Sequence, residues 1–316
     1  MEILFFEPVY KDYIWGGTRL KEYFYKNVET PTAAESWEIS TNEAGLSKIA
    51  NGYMNGRTLK ELFDNRDLRE EIFGTKTEKM EKFPLLIKYI DANSNLSVQV
   101  HPNDEYAKIN ENDTGKTEMW YIIDCAQNAK IICGMKESVT QKEVSEIIRN
   151  GKIKENLNYV NIQKGDAIYI PSGTIHAILG DTLICEIQQN SNLTYRVYDW
   201  DRVGSDGKPR ELHIEKAIDV IDVETKPSVV HTIDEENKKI VENEFFKVEK
   251  VTVDGEYRDN SSKETFYAMN ILEGSGKIEA DNKEYNLNKG DSILIPASIG
   301  EYVIRGKIQL LKSYVG

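Results

Sequence analysis

Four side chains in this sequence could together hold a divalent cation. In NLSVQVHPNDEY, Ser97, Gln99 and His101 recur at every second residue, so on a strand all three face one side. In GKTEMWYII, Lys116 and Glu118 share a face by the same spacing, and His176 lies in another β-like run, IPSGTIHAI. Gln99, His101, Glu118 and His176 supply two imidazole nitrogens and two side-chain oxygens, a set suited to zinc or another borderline divalent ion. One carboxylate and three neutral donors leave such an ion a net positive charge, so it remains a Lewis acid able to polarise a carbonyl or hydroxyl oxygen. A closed structural zinc more often uses thiolates, and none of the three cysteines, Cys125, Cys133 and Cys185, falls in these motifs. Singly, each histidine reads as an ordinary hydrogen-bonded residue. Their convergence on one barrel interior is what would make a site.

Positioning these groups falls to strands. Short runs rich in Val, Ile, Tyr and Leu (FPLLIKYI, LSVQVHP, MWYIIDC, AKIICGM, DAIYIPS, DTLICEIQQ) are punctuated by Gly, Asn and Asp, the rhythm of an antiparallel sandwich or barrel. Helical patterns are few: GRTLKELF, DLREEIFG, ELHIEKAIDVI, and TQKEVSEIIRNG with Thr140 and Glu143 at capping-box spacing. The chain reads as mainly β with short helical insertions.

A repeat divides it. KGDAIYIPSGTIHAI starts at Lys164 and KGDSILIPASIGEYVI at Lys289, placing Gly165 and Gly290 125 residues apart. That spacing is too long for a solenoid and suits two related barrels, each with a Gly-Asp turn, a short strand and a terminating proline. The polar segment 224–243 reads as a linker, and the boundary is set between 1–228 and 229–316. Where the first copy has His176 the second has Glu301, and no histidine follows His231. The second barrel is therefore expected to keep the fold without the metal site.

Bulk composition excludes some classes. With 40 basic and 53 acidic residues in 316, the net charge is −13, a poor match for nucleic acid or an anionic membrane surface. No apolar stretch is long enough to span a bilayer, and MEILFFEPVYKDY is no secretory signal. Three cysteines without a C-x-x-C pair suit reduced thiols in a cytoplasmic protein.

The segments LIKYIDANSNLSVQVHPND, GKTEMW, IPSGTIHAI and TYRVYDWDR resemble the type I phosphomannose isomerases, in their short bacterial form. The Q-x-H-P and G-K-x-E-x-W pair is the most specific part of the likeness, with Glu118 seventeen residues after His101. The resemblance implies two cupin (jelly-roll β-barrel) domains, the first catalytic and the second degenerate. It implies one Zn²⁺ per chain on Gln99, His101, Glu118 and His176, and a small sugar phosphate as partner, with the chain a monomer or homodimer. It further implies a pocket of Trp15, Glu35, Lys88, Ser97, Lys116, Glu186 and Arg196, with Tyr195 and Asp199 close by. Longer members carry a sizeable helical domain; here only residues 136–158 stand in its place.

The implied reaction interconverts mannose 6-phosphate and fructose 6-phosphate by moving a proton between adjacent carbons through an enediol. Arg196, with Lys116 or Lys88, is the cation for the phosphate or for the reacting carbons. Glu186, Asp199 and Lys88 all remain candidates for the base. Two alternatives are an isomerase of another aldose and a non-catalytic sugar-sensing protein, although no helix-turn-helix or other effector segment is visible. An iron dioxygenase is disfavoured, because Gln99 beside two His and one carboxylate leaves fewer open positions.

Overall fold

The computed structural model describes residues 1–204, 207–225, 227–232 and 237–316. Three antiparallel sheets build it. A seven-stranded sheet runs in the order Ser228–His231, Asp166–Ile170, Glu118–Cys125, Thr182–Gln189, Leu85–Ala92, Glu35–Ile39 and Val9–Lys11. A five-stranded sheet runs Tyr195–Tyr198, Val98–Val100, His176–Ile178, Lys130–Met135 and Leu157–Asn161. Their inner faces share one core: Ile90, Trp120, Ile168 and Ile184 from the first meet Ile131, Cys133 and Ile178 from the second. This is the first barrel.

Both faces of the seven-stranded sheet are covered, so all eight residues of Leu85–Ala92 and of Thr182–Gln189 are buried. Alternation sends Leu85, Ile87, Tyr89, Leu183, Cys185 and Ile187 outward against Phe246, Phe266, Leu294 and Leu311 of the second barrel. The opposite parity, with Lys88 and Glu186, points inward. The outer face of the five-stranded sheet (Val98, Val100, Ala177, Val197) packs on Val144 and Ile148 of the helix Gln141–Arg149 and Ala217 of the helix Ile214–Val220. Thr140 starts the former as its sequence suggests, its N–H donating to the Glu143 carboxylate at 2.8 Å. The helix Asp104–Glu111 was not anticipated; Asn103 caps it by accepting the Tyr106 N–H at 2.9 Å, a signal present in the sequence as N-D-E.

The third, eight-stranded sheet wraps around its own core of Val251, Met269, Ile278, Ile293, Ile304 and Ile308, built on the long strands Lys247–Asn260, Tyr267–Ala280 and Glu301–Tyr314. The chain's first strand, Leu4–Glu7, belongs here, pairing Leu4 with Leu294. The segment read as a linker instead supplies strands on both sides: Ser228–His231 pairs with Asp166–Ile170, and Asn237–Glu242 with Lys247–Asn260. The passage between barrels thus follows His231; residues 226 and 233–236 of that segment lie outside the described residues.

The two Lys-Gly-Asp turns meet. Lys164 Nζ lies 3.0 Å from Glu273 Oε1 and Lys289 Nζ 3.2 Å from Glu273 Oε2, while Tyr23 donates to the same carboxylate. Gly165 and Gly290 adopt φ of +87° and +92°, a region that favours glycine. A side chain at Gly290 would also strike the Phe24 carbonyl, 2.8 Å from the Cβ position.

Candidate active site

Strand register assembles the donor set. His176 stands opposite Gln99 across one ladder, and Gln99 stands opposite Arg196 across the next. Directly opposed residues project to the same face, so all three enter the barrel. From the facing sheet comes Glu118. Its Oε1 is 3.3 Å from His176 Nε2 and its Oε2 is 3.4 Å from His101 Nε2, and the three residues' ligand atoms fall within 4.8 Å of one another. Gln99 Nε2 lies 3.4 Å from His176 Nε2, which brings the carboxamide to the same point.

The donors fit a divalent metal. His176 Nδ1 donates to the Thr174 carbonyl at 2.9 Å, leaving Nε2 unprotonated toward the cluster, the arrangement usual for a ligating imidazole. Both Glu118 oxygens are buried and accept no well-aligned hydrogen bond, although Lys116 Nζ is 2.9 Å from Oε2. Burial, then Lys116, pushes the His101 imidazole down to about 3. Burial works to raise the Glu118 carboxyl, but Lys116, His176 and His101 outweigh it and hold it well below the usual carboxylate range. A negative carboxylate beside neutral imidazoles is the protonation state a metal requires.

Next to this set runs a row of charged and indole groups, one from each of four neighbouring strands. Trp37 opposes Lys88, Lys88 opposes Glu186, and Glu186 opposes Trp120. Lys88 Nζ sits 3.2 Å from Glu186 and 3.6 Å from Glu35, above the Trp37 ring at 4.9 Å. Trp120 Nε1 donates to Glu186 Oε2 at 3.0 Å, and Trp37 Nε1 to Glu35 Oε2 at 2.6 Å. Glu186 Oε1 accepts no well-aligned hydrogen bond and faces Lys88 Nζ at 3.2 Å and Lys116 Nζ at 3.8 Å. Burial, then the Glu118 charge, raises the Glu186 pKa above the ordinary value. For Lys88 burial opposes the charge, but Glu35 and Glu186 prevail and raise its pKa.

A cavity of about 290 Å³ opens onto these groups. Trp15, Glu35, Lys88, Ser97, Gln99, Lys116, Glu186 and Arg196 all line it. Asp199 does not line it. Its Oδ1 holds Arg202 and Arg210 at 2.6 Å each and its Oδ2 holds Arg210 Nε at 2.7 Å. Arg210 was missed by sequence, yet it lines the cavity with Tyr13, Asn192 and Thr194. Its only signal was a charged K-P-R-E-L stretch indistinguishable from a surface loop. Tyr195 turns away, donating to Glu111 at 2.7 Å. Arg196 Nε donates to Ser97 Oγ at 3.3 Å, and its NH1 to the Glu211 carbonyl at 2.8 Å.

The second barrel carries different groups at the matching places. Glu118 opposes Ile170, and Tyr267 opposes Ile295. Gln99 opposes His176, and Asp259 opposes Tyr302. Glu301, aligned with His176 by sequence, is exposed and pairs with Arg258, so Tyr302 takes the inward position. There Lys312 Nζ lies 2.8 Å from Glu249, 3.0 Å from Asp259 and 4.8 Å from the Tyr267 ring centre. An internal ammonium stands where the first barrel gathers metal donors. Among the described residues, His101, Glu118 and His176 form the one cluster of such residues able to hold a metal.

Fold and site define a cupin-type β-barrel protein with a buried, metal-competent pocket. The family model described as "Phosphomannose isomerase type I, catalytic domain" matches residues 3–121, and that described as "Mannose-6-phosphate isomerase, cupin domain" matches residues 236–315. The chain is 41% identical to a probable mannose-6-phosphate isomerase, GmuF, of Bacillus subtilis (strain 168), over 98% of each chain. It is 40% identical to the mannose-6-phosphate isomerase ManA of the same organism, over 99% of each. The crystal structure of a Bacillus subtilis mannose 6-phosphate isomerase superimposes with a TM-score of 0.90 at 38% identity, covering 99% of both chains. The chain belongs to the type I phosphomannose isomerase family, whose members are aldose–ketose isomerases.

Proposed function

We propose that the protein interconverts mannose 6-phosphate and fructose 6-phosphate through an enediol, with one zinc ion held by Gln99, His101, Glu118 and His176. The observation that carries this reading is the polarity of the cavity. Its inner end joins the donor set to Lys88, Lys116 and Glu186, while Arg196 and Arg210 line it as guanidinium groups. A sugar phosphate has the complementary polarity, an anion at one end and a reacting carbonyl at the other. At about 290 Å³ the cavity sits at the small end of ligand sites, which favours a single hexose unit.

A zinc ion would supply Lewis-acid stabilisation of charge developing on a sugar oxygen. The chain's own residues do the rest. Arg196 and Arg210 grip the phosphate, the first braced by Ser97 and the second by Asp199. Trp15, Glu35 and Lys116 orient the hydroxyls and exclude water. Glu186 moves the proton: one oxygen is fixed by Trp120, the other faces Lys88 Nζ at 3.2 Å, and burial raises its pKa, which favours its taking up a proton. Lys88 neutralises Glu186 and Glu35 and keeps both aligned. Asp199, with both oxygens taken by arginines, serves the binding of Arg210 rather than the proton transfer.

Free thiols at Cys125, Cys133 and Cys185 support a reducing, cytoplasmic setting, and no described helix is long and apolar enough to cross a membrane. The test is incubation with mannose 6-phosphate in deuterated water. Fructose 6-phosphate carrying deuterium on its first carbon supports the enediol path. Turnover of free mannose in preference to its phosphate would favour another aldose, and specific sugar binding without turnover would favour the sensor.

A further inference from the structure

Of the four histidines, His213 and His231 have no part in the metal cluster or the reaction, and His231 Nδ1 lies 2.6 Å from Asp166; His213 stands beside the cavity-lining Arg196. It immediately precedes the helix Ile214–Val220, yet its side chain makes no capping hydrogen bond to that helix. Instead it turns to the edge strand Tyr195–Tyr198. The Arg196 backbone N–H donates to His213 Nδ1 at 3.2 Å, and the His213 backbone N–H donates to the Arg196 carbonyl at 2.8 Å. One residue thus takes the two main-chain groups of Arg196 that face away from the sheet, doing with a ring nitrogen and an amide what a further strand would do. Two residues earlier the same segment offers the Glu211 carbonyl to the Arg196 guanidinium. The segment 211–213 therefore fixes Arg196 at both its backbone and its tip.

The backbone contact depends on protonation. A neutral imidazole accepts at Nδ1, whereas an imidazolium has two N–H groups and no acceptor. A charged ring would also face the Arg196 N–H with like polarity. The ionisable groups around it are Arg196 and Tyr195 on the edge strand, Glu211 on its own segment, Lys216 on the following helix and Glu111 on the helix Asp104–Glu111. Burial, then Arg196, pushes the imidazole below its ordinary value; Glu211 and Glu111 oppose this and Lys216 adds to it. The ring is accordingly an acceptor at neutral pH and loses that role on the acid side.

We propose that His213 is a positioning residue for Arg196: its unprotonated Nδ1 holds the Arg196 backbone, and protonation releases it and weakens sugar-phosphate binding. This rests on the reading of Arg196 as a phosphate-gripping residue. His213 lies outside the metal cluster, so the effect is on affinity rather than on metal content or turnover.

The experiment compares wild type, His213→Asn and His213→Leu between pH 8 and pH 5.5, reading KM and kcat for mannose 6-phosphate separately. Asn keeps an acceptor oxygen at every pH, and Leu removes it at every pH. One net hydrogen bond corresponds to about a two- to tenfold change in affinity. KM of the Leu variant should be raised by about that factor throughout, with the Asn variant restoring it at pH 8. On acidification the wild-type KM should rise toward the Leu value while the Asn variant's does not follow. Titration of the substrate phosphate and the metal ligands is common to all three and cancels in the ratios. Parallel KM curves for wild type and the Asn variant would overturn the proposal. A second reading needs no substrate: in wild type the Arg196 amide resonance should titrate with the His213 ring, and in the Asn variant it should not. An Arg196 amide indifferent to the ring overturns the positioning claim even if mannose 6-phosphate proves not to be the substrate. Absence of turnover by wild type at pH 8 would instead refute the functional reading.

Discussion

Lys88→Met should cost stability as well as activity, and a second substitution should return part of the one without the other. Lys88 is 4% exposed, its ammonium lies 3.2 Å from Glu186 and 3.6 Å from Glu35, and Glu186 is 3% exposed, so solvent screens little of the interaction. Methionine keeps most of the chain length and the packing on Trp37 while deleting the charge. Breaking a buried pair by removing one partner costs about 3–5 kcal/mol, because the carboxylates are left without compensation. Lys116, 3.8 Å from Glu186 Oε1, remains as partial compensation, so the expected loss is near about 3 kcal/mol. In Lys88→Met/Glu186→Gln the nearer carboxylate is gone and Glu35 alone is left uncompensated, so part of that loss should be recovered while isomerisation stays abolished. Urea unfolding followed by circular dichroism gives the stabilities and a coupled assay for fructose 6-phosphate gives the activity. A single variant as stable as wild type would mean that the buried pair contributes nothing. A double variant no more stable than the single would mean that the Glu186 charge is not the source of the loss.

Trp120→Phe removes the donor to Glu186 Oε2, a hydrogen bond to a charged group worth about 1.5–3 kcal/mol, so kcat should fall about tenfold or more with metal content unchanged. Steady-state kinetics and metal analysis on the same sample check both parts. Asp199→Asn frees Arg210 from its paired contacts, so KM for mannose 6-phosphate should rise about three- to tenfold while kcat is held, in keeping with a binding role. Glu273→Gln unlinks Lys164 and Lys289; the groups are 22–50% exposed, so each pair is discounted to about 0.2–1 kcal/mol. The loss should shrink in high salt, which a pair of urea titrations would show.

The donor set was legible because it obeys strand arithmetic. Gln99 and His101 share a face two residues apart, Lys116 and Glu118 do the same, and folding brought the faces together. Lys88 and Glu186 came from the family resemblance, and the fold adds that both lie on strands buried along their whole length. What stayed hidden was long-range pairing. Nothing local in LFFE says that it closes the far barrel, nor that Ser228–His231 returns to the first. Arg210 and Asp199 both lie in a charged loop, and only the fold decides which faces the cavity and which lies behind it. The aligned Glu301 misled by one position: the loops 171–175 and 296–300 are equally long, yet Tyr302 rather than Glu301 turns inward.

On the proposed function, one cation held by four residues of the first barrel makes this pocket an isomerase. The most direct test is fructose 6-phosphate formation by the protein as isolated, after exhaustive chelation, and after zinc is restored, with metal counted in each sample. The expected result is one zinc per chain, activity lost with it and regained with it, and no metal on His176→Ala. Full turnover by metal-free protein, or two equivalent metals per chain, would contradict it.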